Sequence, residues 1–485
     1  MAKKLINKYK KMSIVAKAAF WFTIASVLQK GVAFFTVPIF TRIMSPEQYG
    51  VFSVYLSWIS VFTVLGGMDF HTCSYINGLA KMDKEKDKKE LAVSLLNLSF
   101  LITFGWMIIY LILKKYINNY LNINTTMTIL MFLEVFFLPA VNLWTTKQRY
   151  TYNYKKLLAW TFCQVILNAV LGIILVISVN EQNQAMARVL SISIVQIIFG
   201  IILIIGFIYN AKRIIVTKYW KHSLQLHIPL LPHKLSLTVL SSADRIMISN
   251  MTGTIDAAIY SVAYSASMAI NLIKLSINDA LTPWVYNCIK EKKYDELRSK
   301  TIYVILLVLV MIFVFVLFAP EIMIIMGSKT YAQAVYVMPP VAASVYFTFL
   351  YNLFSNIEFY YEKTKEIMFA SIITAILNII LNLVFIKIFG YIAAAYTTLL
   401  CYMVLSLMHY LVMKRIVKTK LGNVELFNVK VIMLLSIIVL LSVIIFSVLY
   451  NYMLLRYIVI LAIFIILVFK RKKIIELLKS IKIKN

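Results

Sequence analysis

Lys234, Thr238, Ser241 and Arg245 fall on one face of a single apolar stretch, with the two cations eleven residues apart, about three helical turns. The next apolar stretch repeats the device with Ser267, Asn271, Lys274 and Asn278. The first stretch of the chain carries Thr23, Lys30 and Thr41 on one face, with Arg42 just beyond its outer end. A charge inside an apolar segment costs about 2.5–3.5 kcal/mol on insertion scales, so it is kept where it does something. Lys and Arg fixed in a low-dielectric, water-filled cavity hold an anion such as a phosphate or diphosphate. The other reading is that these cations pair with acids or snorkel, and only hold helices together. The acids available for ion coupling or pairing are few: Asp69, Glu134, Asp244 and Asp279.

Asp244 points off the stripe of its neighbour Arg245, because adjacent helix positions do not share a face. A stripe of Ser53, Ser57, Ser60, Gly67 and His71 runs along the second stretch without a cation; Asp69 falls on its far side and pairs elsewhere. Glu134 stands alone in the middle of the fourth stretch, either as the carrier of a coupling ion or as a buried neutral carboxyl. His222, His227, His233 and His409 lie near membrane faces and are given no role. Enzyme chemistry finds no support. Gly327-Ser328-Lys329-Thr330 has Ile322 where a phosphate loop needs its leading glycine. Cys73, Cys163, Cys288 and Cys401 show neither metal-ligand nor disulfide spacing, and no cofactor is expected.

The elements that position these residues are long and apolar. Fourteen stretches suit a bilayer crossing: 16–41, 50–76, 91–113, 125–144, 157–179, 187–210, 224–250, 256–285, 301–319, 333–356, 367–386, 391–413, 428–450 and 453–470. About 20 apolar residues span the roughly 30 Å hydrocarbon core, where helices satisfy their own backbone. The first is read as an uncleaved anchor. Basic residues alternate between gaps: six lysines lead into the first stretch, only Arg42 follows it, then come Lys81, Lys84, Lys86, Lys88 and Lys89. Lys and Arg mark the cytoplasmic side, so both termini are expected inside. The formal charge of +29 is thereby explained by short loops facing anionic lipid, and nucleic-acid binding is excluded. Hydrophobic residues make up 61% of the chain, which agrees with a membrane protein.

The chain also repeats itself. A shift of about 208 residues lays stretches one to six on seven to twelve, and Ile166-Leu167-Asn168 recurs as Ile376-Leu377-Asn378 with a two-residue slip. An even number of crossings per half makes the repeat parallel, an arrangement transporters use for two bundles around a shared site. The expected organisation is therefore all-α: an amino-terminal six-helix bundle over 1–222, a second over 223–420, and two terminal helices with a basic tail over 421–485.

Two segments carry a family resemblance. Phe40-Thr41-Arg42-Ile43-Met44-Ser45-Pro46-Glu47-Gln48-Tyr49-Gly50 resembles the first-half signature of Wzx-type lipid-linked oligosaccharide flippases of the multidrug/oligosaccharidyl-lipid/polysaccharide exporter superfamily. Ile228-Pro229-Leu230-Leu231-Pro232-His233, with Ser241 to Arg245 and Ile259-Tyr260-Ser261-Val262, resembles the second-half signature. The resemblance implies two six-helix bundles in a V with two further helices, in a bacterial plasma membrane. It implies translocation of undecaprenyl-diphosphate-linked oligosaccharide between leaflets, driven by a gradient of H+ or Na+, with a polysaccharide polymerase as a partner. On that basis Lys30, Arg42, Lys234, Arg245 and Lys274 hold the diphosphate, and Thr23, Thr41, Thr238, Ser241, Ser267, Asn271 and Asn278 line the cavity. The alternatives are a cation-coupled multidrug exporter, which calls for an acidic cavity, and a membrane polymerase or glycosyltransferase, which calls for a large external loop or catalytic carboxylates.

Overall fold

In the computed structural model, the residues of the Ser45–Gly50 signature build a helix start and a close helix crossing. Ser45 caps the helix Pro46–Gly67 by accepting from the Gln48 N–H, with Pro46 in the first turn where its missing N–H costs nothing. The Ser45 N–H donates to Gln184 Oε1, Gln184 Nε2 donates to the Ile43 carbonyl, and Gln48 Oε1 accepts from the Ala185 N–H. At Gly50 the backbone approaches Thr254 so closely that a Cβ would lie 1.9 Å from its carbonyl oxygen. Only glycine fits there. Gly50→Ala is therefore expected to reduce the yield of monodisperse protein in detergent size-exclusion and lower its unfolding midpoint, at a cost of about 1–3 kcal/mol or more.

The structure describes residues 14–209, 211, 213–422 and 424–481, which are helical with short connections and contain no strand. In chain order the helices are α1 (Ile14–Ile43), α2 (Pro46–Gly67), α3 (Ile76–Lys81), α4 (Glu85–Leu121), α5 (Thr125–Tyr150), α6 (Tyr154–Ile177), α7 (Gln184–Tyr209), α8 (Thr217–His227) and α9 (Leu231–Met251). There follow α10 (Thr254–Ser267), α11 (Ala269–Lys290), α12 (Tyr294–Leu317), α13 (Ala319–Met326), α14 (Met338–Tyr360), α15 (Thr364–Phe389), α16 (Ile392–Leu421), α17 (Val429–Leu449) and α18 (Met453–Ile481). Among the described residues, 12 helices are long and apolar enough to cross a membrane. The other two expected crossings coincide with α1, many of whose side chains lie outside the described residues, and α9, whose Lys234, Asp244 and Arg245 lower its hydropathy.

Three expected boundaries shift. The second stretch ends as a helix at Gly67 instead of running to 76, and His71–Tyr75 forms a π-helical turn before α3. The eighth is divided at Met268 into α10 and α11. The seventh begins only at Leu231, because 217–227 form the separate helix α8.

The chain divides into two compact units, one ending at Ala258 and the other beginning at Ile259. In the first, α2, α4, α5 and α7 pack together, α1 and α7 flank α6, and α9 packs on α2. In the second, α14 is the buried centre, packed by α11, α12, α16 and α17 over a core that includes Val345, Phe349, Leu353 and Ile357. Outward faces carry apolar residues, such as Ile376, Ile380 and Leu383 on α15 and Leu434, Ile437 and Ile444 on α17. Such faces are stable against lipid, and the protein is a multi-pass membrane protein. Within the second unit, Arg456 bonds Glu321, which also accepts from the Tyr457 hydroxyl at 2.6 Å, fastening α18 to α13.

The repeat has a structural trace within each unit. Asn168 on α6 accepts from Arg188 on α7 at 2.9 Å, and Asn378 on α15 donates to Thr398 on α16 at 3.4 Å. Both partners are displaced by the same 210 residues. One frame thus holds different polar pairs.

Candidate functional site: a polar cavity and buried charges in the first unit

The break after Gly67 places the first charge pair. Met68 and Asp69 both take positive φ, 45° and 49°, a strained choice for residues with side chains. Asp69 closes the turn by accepting from the Thr72 N–H and hydroxyl, each at 2.9 Å. Its carboxylate then lies 3.1 Å from Lys234 Nζ, and Lys234 also reaches the Thr72 hydroxyl at 3.3 Å. The two side chains keep 26% and 23% exposure, so the pair is open to water on one side. Asp69 therefore does pair away from the serine stripe, with a partner on α9.

The other anticipated residues are more dispersed. Arg245 is half-buried, donates to the Ser241 carbonyl at 2.9 Å and lies near Tyr49. Thr238 and Ser241 bond carbonyls of their own helix, and Asp244 is fully buried. Arg42 is exposed and bonds the Pro38 carbonyl, which also accepts from the buried Thr41. The side chains of Thr23 and Lys30 lie outside the described residues. In the second unit, Lys274 is buried and donates to Thr348 at 3.4 Å, and Ser267 is buried against the Ala263 carbonyl. There Asn271 and Asn278 are half-buried and Asp279 is exposed. Within the first unit the structure brings together Lys234 and Asp69.

Glu134 is bound on two sides. It is 4% exposed on α5 and accepts from Tyr55 on α2 at 2.6 Å and from Ser193 on α7 at 2.5 Å. One carboxyl thereby knots three helices. It also borders a cavity of about 290 Å³ lined by Ser60, Thr63, Leu138 and Gln196.

Leu138 and Gln196 also line a larger cavity of about 410 Å³, among the helices of the first unit. Its polar wall is made by His71 on the π-helical turn, Asn142, Thr145, Thr146 and Arg149 on α5, Thr161 and Gln164 on α6, and Gln196 on α7. Gln164 Nε2 donates to Gln196 Oε1 at 3.2 Å, while Gln196 Nε2 and the 1%-exposed Thr161 hydroxyl have no hydrogen-bond partner among the described residues. Such groups are costly to bury unless something polar meets them. No carboxylate lines this cavity. Amides, hydroxyls, one imidazole and one guanidinium suit hydroxyl-rich or anionic groups.

Two features escaped sequence reasoning. Arg188 reads as a gap residue at the start of its stretch, yet it is 5% exposed: its guanidinium bonds Asn168 and Ser191 and lies 4.0 Å from the Phe40 ring centroid. In the second unit, His409, expected near a membrane face, is fully buried against Glu358. The separation of 51 residues offers no local spacing that could have paired them.

A family model described as polysaccharide biosynthesis protein matches residues 15–288, more than half of the chain, and the MatE model matches residues 229–384. No curated protein sequence matches the chain. An inward-facing multidrug resistance MATE family transporter of the MOP superfamily superposes with a TM-score of 0.66 at 13% identity, covering 84% of this chain and 100% of that one. Lipid II flippase MurJ in an inward closed conformation superposes with a TM-score of 0.65 at 17% identity, covering 93% and 99%. A MOP superfamily transporter from Pyrococcus furiosus, described by the reverse polarity of its binding pocket, gives 0.58 at 14% identity, covering 84% and 97%. These likenesses establish an all-helical fold shared with those proteins. The chain belongs to the polysaccharide biosynthesis protein family.

Proposed function

We propose that the protein translocates a polyprenyl-diphosphate-linked oligosaccharide from the cytoplasmic to the outer leaflet of a bacterial plasma membrane, for cell-surface polysaccharide synthesis. The observation that carries this reading is the cavity of the first unit, walled by amides, hydroxyls, His71 and Arg149, with Thr161 and Gln196 presenting unmet hydrogen-bonding groups. Sugars satisfy such groups, and Arg149 and Arg245 are suited to the diphosphate. Family membership and a MurJ-like fold agree with this cargo. The alternation of Lys and Arg between gaps supports cytoplasmic termini. A gradient of H+ or Na+ supplies the drive, and a polysaccharide polymerase takes the product.

The test is a leaflet assay in proteoliposomes with a labelled polyprenyl-diphosphate oligosaccharide. Protein-dependent movement supports the proposal. Gln196→Leu is expected to weaken half-saturation about tenfold, the worth of one buried hydrogen bond of about 1.4 kcal/mol, at unchanged membrane abundance. The MatE match over 229–384 favours a second reading, a cation-coupled drug exporter. Ion-dependent efflux of cationic dyes without movement of lipid-linked sugar would establish that reading instead.

A further inference from the structure

We propose that Glu358 and His409 form the proton-binding site of the second unit, and that the ion coupled to transport is H+. The geometry is that of a buried, isolated, titratable pair. His409 Nδ1 lies 2.9 and 3.0 Å from the two oxygens of Glu358, and both side chains are wholly buried. The outer nitrogen, His409 Nε2, has no hydrogen-bond partner among the described residues. The Tyr351 ring covers the imidazole at a centroid distance of 4.6 Å.

A pair built only to join helices would use up both ring nitrogens or place the second in water. Here one nitrogen holds the carboxylate and the other is left to exchange a proton. With the carboxylate ionised and the imidazole neutral, the Nδ1–H donates to Glu358 and the site carries one uncompensated negative charge. One proton from solution, bound at Nε2 or on the carboxyl, makes it neutral. Loss of that proton restores the charge. In a low-dielectric surround the two states differ strongly in solvation, so the empty site favours whichever conformation admits water to it.

The surroundings keep this exchange simple. The titratable groups facing Glu358 are Tyr351 on its own helix, His409 on α16 and Glu366 on α15. Tyr360 and Tyr361 end α14, with Tyr286 of α11 and Tyr294 of α12 beside them. α17 contributes Ile432 and Leu435 to the surrounding core, and its one cation, Lys430, is exposed in its first turn. Glu358 stands two residues from the carboxyl end of α14 and His409 in the carboxyl-terminal half of α16; the chain after them carries Lys363 and Lys365, and Lys414, Arg415, Lys418 and Lys420. Proton entry from that basic face is the shortest route.

The inference rests on the proposed transport function for its meaning but not for its test. Wild type, Glu358→Gln and His409→Gln are reconstituted and assayed for movement of a polyprenyl-diphosphate oligosaccharide, with the membrane potential clamped. The wild type should accumulate substrate about tenfold per pH unit for one proton per cycle. The variants should retain exchange at symmetrical pH and lose the response to the gradient. A variant that keeps the wild-type gradient response overturns the proposal. If the wild type moves no such lipid, the transport reading fails and the site is judged on protein labelled with 15N-histidine in lipid bilayers. The His409 signal, identified by its loss in His409→Gln, should move when the bathing pH is changed, because a proton taken up by either member of the pair alters their shared hydrogen bond. A signal that does not respond to pH overturns the proposal even if the variants prove too unstable for the transport assay.

Discussion

Arg188→Ala should lower the stability of the first unit more than any removal of an exposed cation, by about 3–4 kcal/mol. The guanidinium is buried and donates from Nη1 to the Asn168 carbonyl, the Asn168 amide oxygen and the Ser191 hydroxyl, at 3.0, 2.9 and 2.9 Å. It also lies over Phe40 and within 5.5 Å of the Phe52 ring centroid, which joins α7 to α1 and α2 through cation–π contacts. Truncation leaves two acceptors on Asn168 without their donor and opens a void against the two rings. Lysine should restore little, since a point charge on a flexible stem reproduces neither the fork nor the stacking. The site is equally intolerant of added volume, because a Cβ on Gly172 would lie 2.3 Å from Arg188 Nη1. The check is thermal unfolding of purified protein in one detergent, comparing Arg188→Ala, Arg188→Lys and Gly172→Ala with Arg42→Ala. An Arg188→Ala midpoint equal to that of Arg42→Ala would show that the buried guanidinium contributes nothing.

Arg188 also shows where the sequence stops being legible. Apolar runs report crossings well, because bilayer thickness imposes a length and the hydrocarbon forbids unsatisfied backbone. The helices therefore follow the expected stretches, and the charge-rich α9 was visible by its stripe of Lys234 and Arg245. What a helix buries is set by its neighbours, and one sequence holds no record of them. Arg188 at the head of α7 and Arg42 at the foot of α1 have similar local sequence contexts, yet one is buried and the other exposed. Glu134 looked solitary for the same reason: Tyr55 and Ser193, 79 and 59 residues away, complete it. The amide and hydroxyl wall of the large cavity comes from α5, α6 and α7, and none of these helices shows a stripe striking enough to single it out. The turn at Met68 and Asp69 was hidden differently. Asp69 tolerates positive φ but Met68 does not favour it, so at Met68 tertiary packing has overridden local preference.

Charge reversal at that turn should separate the two meanings of Lys234. Lys234→Ala leaves Asp69 without the ammonium 3.1 Å away, and Asp69→Ala leaves Lys234 with the Thr72 hydroxyl. If the role of the lysine is to hold α9 to the strained turn, each single change should cost transport and stability together. The exchanged pair, Asp69→Lys with Lys234→Asp, should then recover part of both. A coupling energy of about 0.5–3 kcal/mol from the double-mutant cycle is the range for residues in direct contact. The lower half is expected here, because about a quarter of each side chain stays exposed and solvent screens the attraction. If instead Lys234 contacts the diphosphate, Lys234→Ala should abolish leaflet transfer at undiminished abundance, Asp69→Ala should spare it, and the exchanged pair should remain dead. The contacts in the structure favour the first outcome: the ammonium is already held by a carboxylate placed for it by a turn that puts Met68 in an unfavourable backbone conformation. That strain has a use if the turn and α9 move as one piece during transport. Substituting glycine at Met68 relieves positive φ without touching the pair but also empties a 7%-exposed position in the core beside Phe70 and Leu95, so stability should fall by about 1–4 kcal/mol, and transfer compared at equal folded abundance should slow. Unimpaired transfer by Met68→Gly would reduce the turn to a device for placing Asp69.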